Sequence, residues 1–403
     1  MTDSDPLAGL YDVCWDQLQH SYGTADDVPG HLLAMQAGSW EDGTYPPDAL
    51  LANNIVHQGT RSQAAVYTVP FLVRMALDAR LADRHRFVSL LVAIGIGLDN
   101  NHLPGGYDPE EGRAGLAEVR GEAEESAQWI AEASDDEERA RRRGICEQSV
   151  IDAEAVVRCY EAVQEALPDL AVLLTSDTPE LRAETANLLA WFPEYAGASV
   201  PLLEAFVARE TSPGAAATGL VALGLLGARA SVPFVASHLD SSVMELRWGA
   251  AFALTRLGIA GPAVVDALTQ VVARPPERTP TMPFLSGSYT GLAVLALAGT
   301  PAAATLRTVE ALLAGLADCT AAERYVDRSY LADALFTLAF PGEPTDPPRS
   351  FDELGDVQQR AVRLVTEGHI GWPYMATDAL RRWGIPTRHS ELLAYTGIAQ
   401  GGG

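Results

Sequence analysis

The sequence predicts an all-α chain built as a solenoid of stacked antiparallel helix pairs. Three observations carry this reading. The stretch from Leu167 to Gly258 repeats itself as LPDLAVLL, VPLLEAFV and VPFVASHL, with prolines at 168, 201 and 233 spaced 33 and 32 residues apart. Each proline is expected to open a short apolar helix, and an Ala-rich second helix is expected after it, at 181–192, 215–227 and 246–258. The pairs Leu226-Gly227 and Leu257-Gly258 close two of these second helices 31 residues apart. A helix pair of this size cannot bury its apolar face alone, so it must stack on neighbours.

Proline-led first helices, polar turns, Arg182 or Arg247 near the start of the second helix and the closing Leu-Gly resemble the HEAT-repeat (armadillo-like) family over residues 167–272. The middle repeat departs from the pattern, with Ala215–Ala217 where the arginine would sit. A weaker copy lies upstream in VPFLVRMAL (69–77) and RHRFVSLLVAIG (84–95). The resemblance implies a right-handed α-solenoid. It leaves function open, because such arrays include scaffolds, inhibitors, transport receptors and a few enzymes.

The elements follow in order. Residues 7–57 read as three helices, LAGLYDVCWDQLQH, VPGHLLAMQ and PPDALLANNIVHQ, separated by Pro/Gly turns. Gly59 reads as a helix-ending residue, and Thr60 to Gln63 as a capping box that starts the next helix. The helix at 84–95 carries Phe87, Leu90, Leu91 and Ile94 on one stripe. Residues 99–143 break the pattern, with 12 acidic residues between Asp108 and Glu138, and read as an insertion or a charged, partly helical excursion between repeats, with low local stability. A long helix near 135–167 should start at a capping box, Ser134 with Glu137, and be supported by Glu137/Arg141 and Glu138/Arg142 pairs. Two Pro-rich loops, 274–289 and 340–351, interrupt the later repeats, between which Leu306, Val309, Leu313 and Leu316, then Leu331, Leu335 and Leu338, keep the helical period. Helices near 355–367 and 373–383 should cap the end, with Trp372 and Trp383 covering apolar surface, while Gly401 to Gly403 carry no fold information. The expected division is 1–98, 99–143, 144–272 and 273–403.

Composition narrows the function. The 403 residues are 48% hydrophobic, with mean hydropathy +0.04, enough for a folded chain. Net charge is −25, from 53 acidic and 28 basic residues, and every basic residue is Arg. With no Lys there is no Walker-type phosphate loop, Schiff-base lysine or lysine general base. So acidic a chain repels phosphate backbones, which argues against nucleic acid. Cys14, Cys146, Cys159 and Cys319 form no C-x-x-C pair, and MTDSDPLAGLYDVCWD has neither a basic nor an apolar leader region, so a cytoplasmic protein without a secretory signal is expected. Thr211 to Ala228 runs 18 residues without charge but stays in repeat register, so it reads as a buried second helix rather than a membrane span.

The most suggestive polar cluster is Asn53, Asn54, His57, Gln58 and Arg61, just ahead of the first Val-Pro-Phe-Leu. It reads either as a small-ligand or partner pocket in which His57 and Arg61 donate to an anion, or as helix caps and turn-closing side chains. No metal and no cofactor are expected: none of the eight His precedes a Glu, and none lies four residues from another. His85 reads as a solvated helix start and His238 as a satisfied, half-buried side chain. Gly95-Ile96-Gly97 ends a helix rather than a strand, so it is a cap and not a dinucleotide site, and Ser286-Gly287-Ser288 reads as a turn. Asp135 to Glu138 read as a solvated face, and the basic run Arg139, Arg141, Arg142 and Arg143 as internal partners of those acids.

Together these features point to a protein-binding module, a scaffold or an inhibitor/immunity-type protein that engages a basic protein through an acidic surface. The alternative, from another class, is an enzyme or biosynthetic accessory protein with a ligand pocket near residues 53–61.

Overall fold

The structure is a computed structural model that describes residues 5–39, 45–318, 325–342, 344, 349–367, 377 and 380–398. Among the described residues most are helical, and the strands amount to two small hairpins. The chain forms two compact units, Met1–Leu226 and Gly227–Gly403.

In the first unit the helices are α1 (Val28–Gln36), α2 (Pro47–Ile55), α3 (Gln63–Leu77), α4 (Arg84–Ile96), α5 (Pro109–Gly121), α6 (Ala123–Ala131), α7 (Asp136–Leu170), α8 (Pro179–Leu189), α9 (Ala196–Arg209) and α10 (Pro213–Leu225). Helix α3 packs with α4 and α9 with α10, while α8 packs on the 3₁₀ turn Ala171–Thr175 that follows α7. The second helices α4, α8 and α10 pack in a row, while α3 packs on α7. Helix α10 is buried from Gly214 to Leu225, and its Gly219 stands where an added Cβ would lie 2.6 Å from Val207 Cγ2. That close approach lets an all-round apolar helix sit between neighbours. No helix among the described residues is long and apolar enough to cross a membrane.

The second unit holds α11 (Val232–Ala236), α12 (Met244–Arg256), α13 (Pro262–Ala273), α14 (Tyr289–Ala298), α15 (Leu306–Asp318), α16 (Tyr325–Ala339), α17 (Asp356–Thr366) and α18 (His389–Thr396). Here α12, α14 and α16 pack in succession, and α13, α15 and α17 do likewise. Trp383 covers Phe340 with ring centroids 5.4 Å apart; Trp372 and most of the expected helix 373–383 lie outside the described residues, as do Cys319, His369 and Gly401 to Gly403.

The two repeat arginines act alike. Arg182 Nη1 donates to Ser176 O at 2.7 Å and Arg247 Nη1 to Ser241 O at 2.6 Å, each six residues upstream. Arg182 then pairs with Glu210 at 2.6 Å, at the end of the next first helix, and Arg247 Nη2 reaches Gln270 at 3.2 Å. These bonds satisfy turn carbonyls that a helix–turn–helix leaves open and tie one pair to the next.

Several expectations need correction. Pro168 and Pro201 lie inside α7 and α9 rather than opening helices, and only Pro233 sits in a first turn. Residues 7–20 form two 3₁₀ turns, Leu10–Asp12 and Trp15–Gln17, and a strand, not a helix. The N-cap of α7 is Asp135, whose carboxylate accepts from Glu138 N at 2.8 Å, and Glu138 rather than Glu137 takes Arg141 as well as Arg142. The Ser134 hydroxyl instead donates to Asp135 at 3.1 Å, and the Asp135 carboxylate also meets the positive end of the helix dipole. The segment 99–143 is largely helical, with α5 packed along α7 and α6 tied to it by Arg142, which donates to Trp129 O at 2.6 Å and lies over the Trp129 ring.

Candidate functional site

Residues 56–61 fold as a β-hairpin rather than as a helix end and a capping box. Val56–His57 pairs with Thr60–Arg61 across Gln58-Gly59, whose φ values of 51° and 90° make the two-residue turn. Ser62, not Thr60, is the N-cap of α3, and it makes no side-chain capping bond. The register settles what the polar cluster can do. Arg61 faces Val56, and His57 faces Thr60, so Arg61 and His57 project from opposite faces of the ribbon. They do not converge on one anion.

The outward face joins two sites far apart in sequence. His57 Nδ1 lies 3.1 Å from Tyr22 Oη and 3.3 Å from Asn53 Oδ1, and Asn53 Nδ2 donates to Tyr22 Oη at 3.0 Å. Tyr22 comes from a second hairpin, Gln19–His20 with Gly23–Thr24, held to the end of α2 by Ser21 N on Asn54 O at 3.0 Å. Asn54 joins a separate group around Asp27, donating to it at 2.8 Å, with His20 at 2.9 Å and His31 at 3.5 Å from the same carboxylate. Gln58 is exposed at the turn and makes no side-chain bond among the described residues. Tyr22 was not legible as a partner because it lies 35 residues from His57.

Arg61 is 93% buried and serves the interior, being only 7% exposed. Its Nη1 donates to Gly59 O at 2.9 Å and Ile96 O at 3.2 Å, and Nη2 to Tyr107 Oη at 3.4 Å, while Nε has no partner. A cation at the end of α4 complements the helix dipole and takes a carbonyl that the last turn leaves open. Gly97 completes this contact: its φ is 79°, and a Cβ there would lie 2.6 Å from Gly59 O and 2.7 Å from Arg61 Nη1. Only glycine fits this position.

A buried polar ladder in the same unit escaped sequence reading. Just past α8, Trp191 Nε1 donates to Asn187 Oδ1 at 3.0 Å, and within the helix Asn187 Nδ2 donates to Glu184 Oε1 at 3.1 Å. Burial pushes the Glu184 carboxyl up to about 7, against the hydrogen bonds from Asn187 and Ser89 and with help from nearby Asp99. Its signal was a lone Glu in the apolar helix LRAETANLLAWF. Burial likewise lowers the affinity of His85 and His102 for a proton and pushes Cys159 up to about 12, so this thiol is inert rather than nucleophilic. His85 is thus half-buried, not solvated, and His238 is satisfied by Phe234 O at 3.0 Å.

Ser286-Gly287-Ser288 does form a turn: Leu285, Ser286 and Gly287 are all left-handed, and Ser288 caps α14 by accepting from Gly291 N at 2.8 Å. Ser288 Oγ also donates to buried Asp327, which Arg278 pairs with at 2.9 Å. Among the described residues no group of His, Cys, Asp and Glu could hold a metal ion.

Charge is divided unequally. The first unit carries 36 acidic residues against 14 arginines, a net −22, and the second 17 against 14, a net −3. Eleven of the 12 acidic residues between Asp108 and Glu138 are exposed, on or beside α5, α6 and the start of α7. Arg113 is drawn to Glu110 and Glu194, and Arg120 to Glu154 at 2.6 Å, while Glu118, Glu122, Glu124, Glu125 and Glu137 have no cationic partner among the described residues. Three of the four arginines of the basic run pair internally, Arg139 with Asp136 and Arg141 and Arg142 with Glu138, while Arg143 has no side-chain partner among the described residues.

Compared with protein-family models and with curated proteins, the chain matches none.

Proposed function

We propose that this chain is a HEAT-like, right-handed α-solenoid acting as a protein-binding module, a scaffold or an inhibitor/immunity-type protein, that engages a basic partner through the surface of α5, α6 and the start of α7. The observation that carries this reading is the set of exposed carboxylates without a cationic partner among the described residues, Glu118, Glu122, Glu124, Glu125 and Glu137. Clustered exposed like charges raise the local potential, steer a basic protein to them and disfavour acidic ones. Exposed Trp129, at 37%, offers an aromatic anchor within this field. The packing of α4 on α8 and α8 on α10, and of α12 on α14 and α14 on α16, supports the solenoid part. A cytoplasmic setting belongs to the same reading and is supported by the free thiols of Cys14, Cys146 and Cys159. The competing ligand-pocket reading loses its anion clamp, because the hairpin register turns Arg61 away from His57.

The test is a pulldown from native lysate at low and high salt. It compares the full chain with a Glu118→Gln, Glu122→Gln, Glu124→Gln, Glu125→Gln variant and with His57→Ala. A basic protein captured at low salt, lost on the four substitutions and indifferent to His57→Ala, is the expected result. Capture unaffected by the four substitutions, or a bound small molecule lost on His57→Ala, would overturn the reading.

A further inference from the structure

The second unit contains a groove of opposite character. It lies between α13 and α15, bordered by Leu239 and the start of α12, with an open volume of about 630 Å³. Its lining includes the small residues Ala263, Ala267 and Ala311, with Arg247, Arg274 and Arg307 against a single carboxylate, Asp266. The three guanidinium groups differ in freedom. Arg247 is fixed by its bonds to Ser241 O and Gln270. Arg307 pairs with Asp266 at 2.6 Å but stays 73% exposed, so that pair is weakly held. Arg274 is exposed and has no side-chain partner among the described residues. On the groove wall Thr269, 6% exposed, keeps a hydroxyl with no hydrogen-bond partner.

A local surplus of two positive charges is unexpected in a chain of net −25. Guanidinium groups bind carboxylates in pairs of parallel hydrogen bonds, and small lining residues let a backbone approach closely. A polyphosphate chain would bring its charges at every unit and meet the acidic field of the whole molecule, whereas a peptide can space carboxylates between neutral residues to match this mixed lining. We propose that the groove docks a carboxylate-rich segment of a partner protein, with Arg274 and Arg307 taking its carboxylates and Arg247 holding the wall in place. This site does not rest on the acidic surface of the first unit.

The test uses the full chain and a dye-labelled peptide of alternating Glu and Leu, followed by fluorescence anisotropy. Saturable binding is expected, weakened tenfold or more by the double substitution Arg274→Glu with Arg307→Glu and unchanged by the remote control Arg139→Glu. Circular dichroism confirms that the double variant folds, as its exposed positions imply. No binding to the folded chain, or equal binding to the double variant, would overturn the proposal. So would competition by inorganic phosphate at concentrations equal to the peptide, which would make this a simple anion site. Concentration-dependent self-association in sedimentation, lost on the same two substitutions, would replace the partner by a second copy and overturn it too.

Discussion

Replacing Glu184 by Gln should change the pH dependence of stability in a direction opposite to ordinary acid denaturation. The Glu184 side chain is 5% exposed and accepts from Asn187 at 3.1 Å, a bond that the Gln carbonyl can keep. Its carboxyl titrates near 7 in the fold, against an ordinary value of 4.5. A raised folded value means that the folded state binds the proton more tightly, so the contribution is full below 4.5 and is lost as pH rises through 7. A difference of about 2.5 units at 1.36 kcal/mol each sets the loss at about 3 kcal/mol between the two limits. Desolvation is the leading cause, so above pH 8 the wild type holds a buried carboxylate with no cation, and the Gln variant avoids it. Urea unfolding at pH 5 and pH 8.5 reads this directly. The variant should match the wild type at pH 5 and exceed it by about 2–3 kcal/mol at pH 8.5. Equal destabilisation at both pH values would refute the argument, and so would a wild type that is the more stable at pH 8.5.

Gly219→Ala should destabilise by about 1–3 kcal/mol, because its Cβ would lie 2.6 Å from Val207 and 3.1 Å from Phe206, which outweighs the gain of about 1 kcal/mol in helix propensity. Gly144→Ala, in α7 with nothing within 4 Å, should show that propensity gain alone; thermal unfolding of the two variants shifting in the same direction would contradict this. Leu254→Asp, at a side chain only 2% exposed, should abolish the cooperative unfolding of the second unit, and a retained transition would show that the helix is not packed as described. A glutamate-specific protease should cut first at Glu132, in the exposed turn between α6 and α7, and an earlier cut within α5 would mean that α5 does not hold against α7.

The repeat was legible where packing dictates sequence. The expected second helices 181–192, 215–227 and 246–258 form at Pro179–Leu189, Pro213–Leu225 and Met244–Arg256. The shift of two residues arises because Pro179 and Pro213 start helices, where their missing N–H costs nothing, yet read as turn residues. First helices were misphased for the converse reason: tertiary packing tolerates Pro168 and Pro201 inside helices that sequence rules would end there. The hairpin at 56–61 is too short to show strand alternation, and its Gln-Gly turn resembles a helix end equally well. The roles of Tyr22 and of Glu118, Glu122, Glu124, Glu125 and Glu137 depend on which elements lie against α2 and α7, which no local pattern encodes. Glu184 went unread although its signal was local, a carboxylate amid Leu and Ala.

The most direct measurement is the rate at which the captured basic partner associates with the wild type and with the Glu118→Gln, Glu122→Gln, Glu124→Gln, Glu125→Gln variant, followed across ionic strength by stopped-flow fluorescence. At 0.15 M salt the screening length is about 8 Å, so steering by exposed carboxylates fades while short-range contacts persist. The account expects a steep fall in the wild-type association rate with salt, a lower and flatter curve for the variant, and dissociation rates that differ far less. Superimposable association curves for the two proteins would contradict it.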